Sequence, residues 1–187
     1  MNYLFGSYYI IKNKLINYSF TKYDIPRIQP KMPWYRQYSY FYYPSTQILN
    51  HLYLGSSFNA YDMNDLRSKN ITIIINATVE IDNYYENDLN FVYYKYPIRD
   101  NNIDDISTIL DDTYSIIDRQ MNEGHNILVH CYMGASRSAS IVIYYIMRKF
   151  GLSYLQALYL VTTLRPLVNL SIKFDQTLRS KYLSLTN

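Results

Sequence analysis

Residues 127–139 read Ile127-Leu128-Val129-His130-Cys131-Tyr132-Met133-Gly134-Ala135-Ser136-Arg137-Ser138-Ala139. The three aliphatic residues at its start predict a short buried strand. The apolar-rich run from Ser138 to Phe150, closed by Gly151, predicts a helix. A strand therefore delivers Cys131 to the edge of a sheet, a five-residue loop follows, and a helix begins near Arg137. Successive N–H groups in such a loop turn inward as a nest for an anion, reinforced by the positive end of the helix dipole. Gly134 permits the φ > 0 conformation that this curl needs. Arg137, six positions after the cysteine, returns to the same focus, where its planar fork holds two oxygens of a tetrahedral oxyanion. The expected result is a phosphate-shaped cradle with a sulfur at its floor.

The same surroundings make the sulfur reactive. A helix N-terminus and neighbouring cations lower a thiol pKa by several units, so Cys131 reads as a thiolate nucleophile. His130, one residue earlier on the strand, points to the opposite face and reads as a group that fixes the cysteine from behind. Ser138 is placed to donate a hydrogen bond to the sulfur. Tyr132, Met133, Gly134, Ala135, Ser136 and Arg137 form the substrate-binding rim. About thirty residues upstream lies a cluster of acids, Asp100, Asp104 and Asp105. The run from Asp100 to Asp111 imitates a calcium loop at its first positions, but Asp105 replaces the turn glycine and Asp111 the final glutamate. Asp104 or Asp105 reads instead as the cap of the following helix.

Working outward, Leu52–Gly55, Ile71–Asn76 and Phe91–Tyr96 read as strands, the last ended by Pro97. A helix fits 105–122, with Ile106, Ile109, Leu110, Thr113 and Ile117 on one face and Gly124 beyond its end. Ser153 is placed to cap a helix reaching Arg165-Pro166, and Ser171 another through Leu183. Strands alternating with helices give an α/β fold: a central, mainly parallel sheet flanked by helices.

At 187 residues and 49% hydrophobic, the chain has the material for one domain with a buried core. Its apolar runs fall far short of the roughly 20 residues of a membrane span, and no signal peptide is evident. One cysteine excludes an intramolecular disulfide and a multi-cysteine zinc site, and the expected setting is intracellular, in cytoplasm or nucleus. His51 and His125 lack ligand spacing, so no metal and no cofactor is expected. The net charge of +3 conceals a step: residues 1–47 carry +5 and ten of the 24 tyrosines, and residues 48–187 carry −2. We read 1–47 as a basic, Tyr-rich N-terminal extension and 48–187 as the catalytic domain. Trp34 and the Tyr35–Tyr43 cluster read as packing onto the domain or as a docking surface for a partner. Arg99 and Arg165 read either as added positive potential near the cleft or as cations in a solvated or helix-terminal role.

The residues from His130 to Ser138 resemble the dual-specificity protein phosphatase family, whose loop reads His-Cys-x-x-Gly-x-Ser-Arg-Ser. The resemblance extends to Leu52-Tyr53-Leu54-Gly55-Ser56, Ile75-Asn76-Ala77-Thr78, Tyr96-Pro97-Ile98-Arg99-Asp100, Ala139–Met147 and Arg165-Pro166-Leu167-Val168-Asn169 with Phe174, and so covers about residues 48–182. It implies Asp100 as the general acid and base. It also implies a metal-independent hydrolase of phosphotyrosine and phosphoserine/threonine that works through a phosphocysteine. Phosphorylated proteins are then the expected partners. The chain departs from the family's Asn-Pro-Asn-x-Gly-Phe at Asn169-Leu170-Ser171-Ile172-Lys173-Phe174. Alternatives are a phosphatase of RNA 5′ ends or phosphoinositides, and a phosphate-binding module without turnover. The general acid and the uncharged loop residues Tyr132, Met133, Ala135 and Ser136 favour protein substrates.

Overall fold

The strand that precedes Cys131 lies at the centre of a five-stranded sheet. In chain order the strands are β1 (Thr46–Leu49), β2 (Leu52–Gly55), β3 (Ile71–Asn76), β4 (Val92–Lys95) and β5 (Asn126–His130). Their spatial order is β1-β2-β5-β3-β4. Strands β2, β5, β3 and β4 run parallel, and β1 lies antiparallel on the edge beside β2. The structure is a computed structural model that describes residues 42–101 and 103–186. Trp34 and the six cations of the N-terminal extension lie outside the described residues.

Alternation along the strands assigns two cores. Ile73, Ile75, Ile127 and Val129 face the larger one, with α3 (Ser107–Asn122), α4 (Arg137–Phe150), α5 (Tyr154–Leu164) and α6 (Ile172–Thr186) supplying Leu110, Ile141, Val161 and Phe174. Ile71, Ile74 and Leu128 face the smaller one, against Ala60 of α1 (Ser57–Tyr61) and Leu66 of α2 (Met63–Ser68). Each fully buried aliphatic side chain contributes roughly 1.5–3 kcal/mol, and burial on both faces explains the nearly unbroken apolar run of β3. Helix α4 ends at Gly151, whose φ of +62° is the left-handed cap that glycine adopts without strain.

Helices α1 and α2 and strand β1 were not expected from the periodicity. The two helices are a turn or so each and are set by caps. Ser56 and Asn59 form a reciprocal capping box, and Asp62 ends α1 while accepting from Asn64 and Asp65 to open α2. Strand β1 straddles the compositional step at residue 47. Ser153 caps α5 with Gln156 as expected. Ser171 does not cap α6 with its side chain: its Oγ is buried without a partner among the described residues, and its N–H donates to Ser136 Oγ at 3.1 Å.

Candidate active site

Cys131 follows β5 directly and is 2% exposed. Its Sγ accepts from the Gly134 N–H at 3.3 Å and from the Ser138 hydroxyl at 3.2 Å. Burial alone would raise the thiol pKa. The Arg137 charge, the Ser138 hydroxyl and the backbones of Ser138 and Ala135 outweigh it and hold the pKa below its ordinary value.

The loop from Cys131 to Arg137 is held in its curl from outside. The Tyr132 carbonyl accepts from the Ser57 N–H and hydroxyl, both at 3.1 Å. The Gly134 carbonyl accepts from Arg165 Nε at 2.9 Å, and the Ala135 carbonyl from the Asn169 N–H at 2.9 Å. Across a trans peptide, a carbonyl turned out aims the next N–H the other way. The N–H groups of Met133, Ala135 and Ser136 are thereby turned toward the inside of the curl. Gly134 has a φ of +70°, and a Cβ there would lie 2.5 Å from the Gly55 carbonyl oxygen and 2.7 Å from Arg165. Only glycine satisfies both the backbone and the space.

Arg137 opens α4 and is buried against the loop. Its two terminal nitrogens form a forked pair with Glu80, at 2.8 and 2.7 Å, and one also donates to the Ile98 carbonyl at 3.0 Å. Burial pulls the Arg137 pKa down, but Glu80 and the nearby sulfur outweigh it and hold it above its ordinary value. Burial likewise pushes Glu80 up, and the hydrogen bond and charge of Arg137, together with the backbone bonds at Glu80 and Val79, more than reverse this. Arg137 Nε is buried and has no partner among the described residues, a donor left for a ligand.

A pocket of about 360 Å³ opens over the sulfur, lined by Asp100, Cys131, Tyr132, Met133, Ala135, Ser136, Arg137 and Asn169. The structure thus brings Asp100 and the expected rim residues together, except that Gly134 lies outside the lining, with its N–H on the sulfur and its carbonyl on Arg165. Asp100 Oδ1 accepts from the Ser136 hydroxyl at 3.1 Å, which fixes the acid at the pocket mouth. Ser138 lies beneath the sulfur, outside the lining. His130 is buried behind the loop, its Nδ1 without a partner among the described residues, and burial pushes its pKa down to about 4.

Neighbouring candidates have other employment. Asp104 accepts from the Arg99 N–H at 2.9 Å, and Asp105 accepts from the Ser107 N–H at 2.9 Å in the first turn of α3. His51 bonds Asn126 at the start of β5, and His125 faces Thr72. Arg165 takes the helix-terminal place, at the end of α5, and the solvated reading is corrected: it is fully buried. No local pattern points to Glu80, which lies 57 residues from Arg137. Asn169 came only with the family pattern.

The profile described as "Dual specificity phosphatase, catalytic domain" matches residues 52–183. The chain belongs to the dual-specificity phosphatase family. It is similar to human Protein phosphatase Slingshot homolog 2, at 41% identity over 106 residues, which is 57% of this chain and 7% of that protein. It is similar to Dual specificity protein phosphatase 1B of Arabidopsis thaliana, at 36% identity over 120 residues, covering 64% of this chain and 71% of that one. The crystal structure of human tyrosine phosphatase-like serine/threonine/tyrosine-interacting protein superposes with a TM-score of 0.71 at 30% identity, covering 76% of this chain and 98% of that one. The chain therefore spans a small fraction of the Slingshot protein and most of the shorter relatives. The family's catalytic cysteine is present as Cys131. Among the described residues, no helix is long and apolar enough to cross a membrane.

Proposed function

We propose that this dual-specificity phosphatase domain hydrolyses phosphotyrosine and phosphoserine/threonine in proteins through a phosphocysteine on Cys131. The observation that carries the reading is the sulfur itself. It is buried at the floor of an anion-shaped curl, held below its ordinary pKa, with an unpartnered guanidinium N–H beside it.

The phosphoryl group enters with its oxygens against the inward N–H groups of the loop and Arg137 Nε. The thiolate attacks phosphorus opposite the leaving oxygen; the S–P bond forms as the P–O bond breaks, and Asp100 gives its proton to the departing side-chain oxygen. Ser138 donates to the sulfur, which stabilises it as the leaving group of the second step. There Asp100 takes a proton from water, water oxygen bonds to phosphorus, and Cys131 departs as thiolate. Charge developing on the equatorial oxygens is met by fixed donors, the largest electrostatic contribution such a site makes. Glu80 and the Ile98 carbonyl keep Arg137 aimed at the loop.

Asp100 sits at an open mouth, and the rim residues Tyr132 and Met133 are uncharged. Both features support a phosphorylated side chain presented by a protein over a polyanionic lipid or RNA end. The test is turnover of p-nitrophenyl phosphate and of matched phosphotyrosine, phosphoserine and triphosphate-RNA substrates, in chelator. Turnover of the phosphopeptides that disappears in Cys131→Ser is expected. Faster turnover of the RNA end, or activity surviving in Cys131→Ser, would overturn the proposal.

A further inference from the structure

Arg165 takes no part in the chemistry above, yet it heads the fully buried side chains by size, with 0% exposure. Among the described residues it forms no ion pair with a carboxylate. An unpaired buried guanidinium is costly, so the groups that satisfy it define its role. Nε donates to the Gly134 carbonyl at 2.9 Å, at the crest of the phosphate loop. One terminal nitrogen donates to the Pro44 carbonyl at 3.0 Å and to the Thr46 hydroxyl at 3.1 Å, where the N-terminal segment enters the sheet. The Tyr43 ring lies 5.3 Å from the guanidinium carbon. The other terminal nitrogen is buried without a partner among the described residues, packed against Gly134.

Two more bonds come from the same stretch of chain. The Asn169 N–H holds the Ala135 carbonyl, and the Ser171 N–H holds the Ser136 hydroxyl, which in turn holds Asp100. Residues 165–171 thus form a strap under the loop, and Arg165 ties that strap by hydrogen bonds to residues 44–46 as well. That stretch is anchored independently on its other side. The Tyr43 carbonyl accepts from Asn59, and Ser45 joins Asp65 and Lys69 of the second helix and its end.

We propose that Arg165 is a positioning residue that clamps the phosphate loop to the entry of the N-terminal segment, holding the Gly134 carbonyl outward so that the Ala135 N–H faces the phosphoryl group. The proposal rests on Cys131 being the nucleophile. Two consequences follow. Displacing residues 43–46 loosens the clamp and slows chemistry without touching the pocket. The clamp also places a second positive charge near the sulfur, because the charges of Arg165 and Cys131 interact.

The test uses the full chain and the variants Arg165→Met, Arg165→Lys and Thr46→Val. Three readouts are compared: thermal unfolding, kcat and KM for p-nitrophenyl phosphate, and the pH midpoint of Cys131 alkylation by iodoacetate. The charged and titratable groups around the sulfur are Arg137 with its partner Glu80 and its neighbour Asp100, Lys95 near His130, and Tyr43 beside Arg165; none of them is changed. In Arg165→Met, kcat falls about 100-fold, and the alkylation midpoint rises by about one pH unit. Arg165→Lys restores the midpoint but not kcat, since an ammonium lacks the fork that spans Gly134 and residues 44–46. Thr46→Val lowers kcat by a smaller factor.

Native kcat and midpoint in a folded Arg165→Met protein would overturn the proposal. If that variant does not fold, native kcat in both Arg165→Lys and Thr46→Val would do the same. A native chain that neither turns over nor alkylates at neutral pH would sink the nucleophile reading, and this proposal with it.

Discussion

Two arginines flank the phosphate loop, and they are satisfied in opposite ways. Arg137 meets a carboxylate, Glu80, in a forked pair and leaves Nε free toward the pocket. Arg165 meets carbonyls and a hydroxyl, has no carboxylate partner among the described residues, and is pulled down by burial to a pKa of about 10. A guanidinium that must bind an incoming dianion needs a partner that keeps it charged and aimed. One that organises backbone needs acceptors at fixed positions. His130 shows a third solution to the same burial: it gives up its charge. One sulfur is thus served by three basic side chains whose roles follow from what each is bonded to.

The comparison breaks hardest at Arg137. Arg137→Met is expected to lower kcat/KM by about 10³-fold with the fold retained, since it removes the charged donor that acts on the transition state. Steady-state kinetics beside the Arg165→Met series check the order; an equal or larger loss at Arg165 would reverse the assignment of roles. Asp100→Asn keeps the bond from Ser136 and removes the proton, with an expected loss in kcat of about 10²-fold for aryl-ester substrates with poor leaving groups. That loss should shrink for p-nitrophenyl phosphate, whose leaving group needs less protonation. A uniform loss across leaving groups would assign Asp100 to structure.

A smaller effect separates the arginines by pH. Arg137 is the foremost of the influences that lower the Cys131 pKa, so the rising limb of kcat/KM lies below the ordinary thiol range. Glu80→Gln removes the carboxylate and makes Arg137 resemble Arg165 in its pairing. We expect about a tenfold drop in kcat/KM, from the loss of a charge-assisted hydrogen bond. The rising limb should move little, because the Arg137 charge remains. A large shift of that limb in Glu80→Gln would show that the pair, and not Arg137 alone, sets the thiolate.

The smallest effect on turnover, though not on stability, belongs to His130. Its folded pKa of about 4 lies below the ordinary 6.5. Between those values the unfolded chain binds a proton that the folded chain does not, so stability falls as pH drops through that window. The full loss is about 3 kcal/mol. Denaturant melts from pH 7 to 4 on the native chain and on His130→Asn measure it; an identical pH slope in both would remove His130 from the account.

The parts of this site that were legible in the sequence are those encoded within one turn of chain. Strand, cysteine, Gly134, Arg137 and Ser138 fall inside twelve residues, where local spacing dictates geometry. Asp100 needed the family pattern, because three acids cluster there and only folding shows that Asp104 and Asp105 are engaged by Arg99 and α3. Glu80 and the clamp were illegible for another reason. Each depends on a contact between segments tens of residues apart, and an arginine before a proline at a helix end reads as solvated. The short α1 and α2 did carry a signal, the capping pair Ser56 and Asn59 and the cap Asp62, but they lack the length that makes a helical period visible. Strand β1 lies across a composition boundary that concerns charge and tyrosine, neither of which decides strand pairing.

The central claim is covalent, and the direct measurement is to catch the intermediate. Native protein and Cys131→Ser are mixed with p-nitrophenyl phosphate, quenched within a turnover, digested and examined by mass spectrometry. A phosphate on the Cys131 peptide of the native protein, formed as nitrophenol is released and absent from Cys131→Ser, is the predicted result. Turnover with no phosphate on that peptide at any time, or with phosphate on a different side chain, would contradict it.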